Sequence, residues 1–215
     1  MDECNELLCV LNKPDLIITA VATIVASLIG ACFGGRMTRK ATIEGVKQAH
    51  YLQIKADEEA ERKLINGFIW AIHAEVTSLL DRYMETMGSI VEASDEDSPL
   101  AYHYLIQEGY LAIFNNNTNL IGRINDGELR NMIVQLYTLA KGMIDTFRTN
   151  SEFTLQLEKI NTHPQFNSKT MNDNVIRAHE ERLVSYANQI RFGHWEFKQL
   201  SIVTLKHIEE TVPKT

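Results

Sequence analysis

Between Leu16 and Gly35 the chain carries no charge, and Thr19, Thr23 and Ser27 are its only polar side chains, each able to return a hydroxyl hydrogen bond to a helix. At helical rise this run reaches about 30 Å, the thickness of a bilayer's hydrocarbon core. It therefore restricts the chain to a membrane span, a removable signal or an unusually apolar core helix. A signal peptide places positive charge before its apolar region, but here only Lys13 precedes the run while Arg36, Arg39, Lys40 and Lys47 follow it. A core helix of this length with no polar stripe is uncommon in a small domain. The reading is a single-pass span over 16–35. The basic residues Arg36, Arg39 and Lys40 orient it with a short extracytoplasmic tail, 1–15, and a cytoplasmic C-terminal part.

The run also has an internal order. Ala22, Ala26, Gly30 and Gly34 recur every four residues, and Thr23, Ser27, Ala31 and Gly35 form a second row beside them. In lipid, helices meet through close backbone approach across small side chains, so this smooth face predicts a homo-oligomer, with Ala22, Ala26, Ser27, Gly30, Ala31 and Gly34 at the contact. The alternative is that alanine and glycine are common in spans.

Beyond the run, 36–63 is charged and proline-free and reads as a helical stalk, with a mobile tether as the alternative. Ile65, Phe68, Ile72, Val76, Leu79, Tyr83, Met87 and Ile90 then alternate steps of three and four, which is helical spacing. "EASDEDSPL", Glu92 to Leu100, is an acidic turn closed by Ser98-Pro99; it lacks the glycine and oxygen spacing of a calcium loop. Tyr102 to Phe114 reads as a short helix packed through Tyr104, Leu105, Leu111 and Phe114. Asn125 or Asp126 is placed to cap a helix whose apolar stripe runs from Leu129 to Phe147. Ile160 to Asp173 reads as a polar loop, with Asn172 or Asp173 capping a last helix over about 174–211 that buries Ile176, Leu183, Tyr186, Ala187, Ile190, Phe197, Leu200 and Ile208. The expected fold class is all-α: one N-terminal transmembrane helix continuing into a cytoplasmic antiparallel helical bundle over 64–215.

Charge and chemistry exclude more than they assign. Of the net charge of -7, residues 1–35 contribute -3 and the remainder -4, and the one basic cluster, Arg36 to Lys55, has no interleaved aromatic ladder, so no direct nucleic-acid binding is expected. Cys4 and Cys9 precede the apolar run and Cys32 lies inside it, leaving the cytoplasmic part without a thiol for metal or nucleophilic chemistry. Cys4 and Cys9 read as free thiols, or as disulfide partners if the tail faces an oxidising compartment. His73-Ala74-Glu75 and His179-Glu180-Glu181 are not metal motifs, since helical residues two apart point to different sides. No glycine-rich phosphate loop or nucleophile elbow is present. No catalytic residue, metal ligand or cofactor is assigned, and the chain reads as a non-enzyme; an enzyme would need a site scattered across the bundle.

The segment "YLAIFNNNTNLIGRINDGELRNMIVQLYTLAKGMIDTFRTN", Tyr110 to Asn150, resembles a recurring segment of poorly characterised bacterial single-span membrane proteins with a helical cytoplasmic domain. An aromatic before an Asn-rich turn, Leu120-Ile121-Gly122, Ile133-Val134, Tyr137 and Lys141-Gly142 carry the resemblance. Some such proteins are associated with antiphage defence. The resemblance implies a self-associating membrane effector of an antiphage or abortive-infection type system, held and released by a cytoplasmic protein or ribonucleoprotein partner. A membrane-tethered scaffold or sensor adaptor is the alternative. Asn115, Asn116 and Asn117 are the candidate partner surface, beside their ordinary use as turn and cap residues.

Overall fold

The structure is a computed structural model that describes residues 14–104, 109–162 and 169–214. Cys4, Cys9 and Leu105, named above, lie outside the described residues. All regular structure is helical, and no strand occurs among the described residues. In chain order the elements are α1 (Pro14–Tyr83), a π-helical turn (Met84–Gly88), α2 (Ser89–Ala93), α3 (Ala112–Asn116), α4 (Thr118–Ile121), α5 (Gly127–Thr162) and α6 (Lys169–Thr211). By its internal contacts the chain divides into two units, Met1–Ala60 and Glu61–Thr215.

In the first unit the described residues are helical, and proline at the first helical position costs nothing because that N–H has no helical acceptor. The segment is long and apolar enough to cross a membrane, and none of its apolar window is buried. Ile18, Leu28 and Phe33 stand 65%, 60% and 68% exposed, a face that water would penalise and lipid would not. The three hydroxyls of the run are satisfied within the helix: Thr19 Oγ1 donates to Asp15 O at 2.7 Å, Thr23 to Thr19 O at 2.8 Å and Ser27 to Ile24 O at 2.8 Å.

The second unit is built on three helical stretches whose apolar spacing meets in one core. α1 contributes Ile65, Phe68, Ile69, Ile72 and Val76, α5 Leu129, Ile133, Leu136, Tyr137, Ala140, Met143 and Phe147, and α6 Ala187, Ile190, Phe197 and Ile208. Each fully buried large side chain is worth about 1.5–3 kcal/mol, so this core dominates the stability of the unit. α5 and α6 pack along each other. At Gly193 an added Cβ would lie 3.2 Å from Met143 Cγ, so the glycine permits their close approach. Leu79, Tyr83, Met87 and Ile90 continue the α1 stripe as partly buried groups.

Two expectations give way. Tyr102 to Phe114 is not one helix: among the described residues, Tyr102 to Tyr104 is irregular, Gly109 to Leu111 is a turn, and α3 begins at Ala112. Gly109 has φ 112° and Leu111 has φ 69°, both left-handed, which an α-helix of L-residues cannot contain. Leu111 tolerates that conformation because it is almost fully buried, and its burial offsets a strain of about 1–2 kcal/mol. Similarly, α5 runs to Thr162 and α6 starts at Lys169, so Ile160 to Thr162 and Lys169 to Asp173, read as loop, are helical. Asn172 and Asp173 lie inside α6 and are not its caps. A cap-forming residue type signals a helix start only where the preceding residues leave helical geometry.

Candidate functional site

On α1, the small residues predicted at a helix contact form an open face. All of Ala22, Ala26, Ser27, Gly30, Ala31 and Gly34 are exposed, and a Cβ added at Gly30 or Gly34 would meet nothing within 4 Å. Arg36, Arg39 and Lys40 follow on the same helix, also exposed. Ile18, Val21, Val25 and Ile29 flank this face around the helix at 100° per residue.

In the second unit, one polar group that joins three elements is a residue the sequence singles out only to dismiss. Glu75 Oε1 accepts the Ile113 N–H at 2.7 Å, and Oε2 accepts the Phe114 N–H at 3.2 Å and the Tyr137 hydroxyl at 2.6 Å. A carboxylate from α1 thus caps the first turn of α3, whose own cap position, Leu111, has no side chain to offer. Burial and the Glu75 hydrogen bond both hold the Tyr137 phenol protonated, pushing it above its ordinary range. The signal was available: Tyr137 falls on the apolar stripe of its helix, and a buried tyrosine hydroxyl needs a partner. His73 turns away from Glu75, with its Nε2 3.1 Å from Glu209 Oε1, so the two do not form a site.

The Asn-rich turn lies immediately after this cradle. Asn115 and Asn116 are exposed, while Asn117 is half-buried and its Nδ2 donates to Ile113 O at 2.8 Å. Of the three candidate partner residues, then, Asn117 serves the turn and Asn115 and Asn116 face outward. Phe114 stacks on Tyr137 at 4.0 Å between centroids, with Lys141 Nζ 5.4 Å from the Phe114 ring. At the start of α5, Asp126 fulfils the cap expected of it: Oδ1 accepts the Glu128 and Leu129 N–H groups at 2.9 and 3.0 Å. The His207 hydrogen bond, followed by that of the Leu129 N–H, holds its carboxyl below the usual range.

A second polar chain links α1, α2 and α6. The Tyr83 hydroxyl lies 2.8 Å from His194 Nδ1, His194 Nε2 lies 3.4 Å from Glu92 Oε1, and Lys198 Nζ donates to the same oxygen at 2.6 Å. Burial pushes the His194 pKa down and outweighs the opposing pull of Glu92. A neutral imidazole with Nε2–H toward Glu92 leaves Nδ1 to accept from Tyr83. Burial raises the Tyr83 phenol, while the Lys198 hydrogen bond lowers Glu92. Each proton is held where it already is, the opposite of an activated nucleophile. The acidic turn between α2 and Pro99 is gripped by Arg191, whose guanidinium donates to the carbonyls of Glu96 and Ser98 at 2.8 and 2.7 Å. Asp95, Glu96 and Asp97 remain exposed. Among the described residues no three His, Cys, Asp or Glu side chains stand close enough together to hold a metal ion. His179 packs beside Phe153, 6.3 Å between ring centroids.

Compared with known proteins, the chain matches no protein-family profile, no curated protein and no solved structure.

Proposed function

We propose that this chain is a membrane-anchored, self-associating, non-enzymatic effector of the bacterial inner membrane, its C-terminal unit a cytoplasmic antiparallel bundle that receives the controlling signal. The observation that carries the reading is the open row Ala22, Ala26, Gly30 and Gly34 on a lipid-length helix, where a second copy can approach backbone to backbone. Arg36, Arg39 and Lys40 favour the cytoplasmic side for the C-terminal unit. The antiphage, abortive-infection setting rests on the resemblance of Tyr110 to Asn150, and Asn115 and Asn116 are the outward groups offered to a protein or ribonucleoprotein partner. Membrane damage would require several copies, because Thr19, Thr23 and Ser27 satisfy their hydroxyls within the helix and one span cannot line a pore.

The test is induced expression with a membrane-potential dye. The intact chain is expected to depolarise cells, and Gly30→Leu with Gly34→Leu to abolish the effect at equal membrane abundance. Unchanged potential and growth with the intact chain, including under phage challenge, would refute the effector reading. A specific feature favours a scaffold or adaptor as the second reading: Phe192, Trp195 and Ile202 share one face of α6 and are 64%, 62% and 47% exposed, which suits a protein partner.

A further inference from the structure

We propose that the cavity bounded by α1, the π-helical turn, α5 and α6 binds a single-chain anionic amphiphile of the medium-chain carboxylate class. The cavity has a volume of about 290 Å³, at the lower end of small-molecule sites. Met87, Met143, Phe147 and Phe197 give it an apolar wall, and neither aspartate nor glutamate lines it. Two methionines in that wall suit an unbranched chain, because the thioether side chain adapts its rotamers to the occupant. π-helical turns in α-helices recur at functional sites, and this one supplies Thr86 and Met87.

The polar groups select the head. Arg82 lines the cavity from the exposed side of α1, and its guanidinium has no ion pair or hydrogen bond among the described residues. His103, the other basic group of the lining, already lies 2.9 Å from Glu158 Oε1. A cationic amphiphile would meet Arg82 with like charge, and a neutral alcohol would leave it unpaired; a carboxylate complements it. Tyr104 completes the wall. Its hydroxyl is buried with no partner, and burial pushes its pKa up to about 12, so it stays a protonated donor. The hydroxyl can therefore pair with a ligand oxygen without giving up a hydrogen bond of its own, while the Tyr104 N–H stays on Ser151 Oγ at 3.0 Å. The site stands on its own geometry and does not depend on whether the chain acts on membranes.

The experiment uses the full chain in lipid nanodiscs with methyl-labelled methionine, followed by NMR. Decanoate is expected to shift the Met87 and Met143 methyls saturably, and decan-1-ol to bind about tenfold more weakly for want of the charge-assisted contact. Arg82→Gln, an exposed substitution, is expected to bring decanoate to the level of decanol while leaving decanol unchanged. Ala140→Phe fills the cavity and is expected to abolish both; should it fail to fold, the Arg82→Gln comparison decides. Shifts confined to Met37 in the exposed part of α1 would show partition into lipid alone and overturn the site. Equal binding of decanoate and decyltrimethylammonium, or of decanoate to the intact chain and to Arg82→Gln, would overturn the carboxylate class.

Discussion

Glu75 places one carboxylate where three donors converge, two of them backbone N–H groups at the first turn of α3 and one the Tyr137 hydroxyl. Removing the acceptor strands all three, and a buried donor without a partner costs about 1–3 kcal/mol. Glu75→Ala is therefore expected to lose at least that much in denaturant unfolding. Tyr137→Phe should lose about 1 kcal/mol, since it keeps the stack on Phe114 and leaves the carboxylate two donors. A double mutant whose loss equals the sum of the two singles would contradict the coupling. The same logic explains why the cradle was only half legible. Tyr137 could be placed on a buried stripe from its spacing, but its acceptor lies 62 residues earlier in the chain, on another helix. The i, i+2 spacing of His73-Ala74-Glu75 excludes a metal motif but does not say what Glu75 does instead, and its actual use follows only once α3 is seen to begin without a cap of its own.

At the level of the element, helices announced by apolar spacing were readable because burial repeats every three or four residues. Ile65, Phe68, Ile72 and Val76 on α1 and Leu129, Ile133, Leu136, Ala140, Met143 and Phe147 on α5 are all core groups. Segments fixed by long-range contacts were not readable in this way. The break before Ala112 depends on left-handed Gly109 and Leu111, and nothing local marks a leucine for that conformation. The span makes the opposite case, because its consequence is written wholly in local pattern. If the row through Gly30 and Gly34 is a helix contact, Gly30→Leu or Gly34→Leu will abolish crosslinked oligomers in membranes, whereas Leu28→Ile, about 160° around the helix from Gly30, will leave them intact. Equal crosslinking of all three variants would remove the small-residue face from the account.

Across the whole molecule, pH and topology give two further expectations. His194 is 7% exposed, and burial depresses its pKa below the ordinary value of 6.5, so the unfolded chain takes up a proton before the folded chain does. Its contribution to stability is complete above that value and declines as pH falls from it toward the depressed folded value. The thermal midpoint should therefore drop as pH falls from about 6.5 toward about 5, and His194→Gln should flatten part of that slope. An unaltered slope would exclude His194, with Tyr83, Glu92 and Lys198 around it, as the source. For topology, alkaline phosphatase joined after Thr215 is expected to be inactive in bacterial cells, and activity there would reverse the assigned orientation. The π-helical turn bears on how chain length and core phase are matched. Ser89 N–H donates to Met84 O, five residues back, so this turn holds about one residue more than an α-helical turn. Winding the same residues as an unbroken α-helix would rotate everything after the turn by about 100° relative to what precedes. Val91 would then leave the core and Glu92 would lose Lys198, so the full-length chain needs the wide turn, whereas a chain one residue shorter there would run as regular α-helix with both groups still in place.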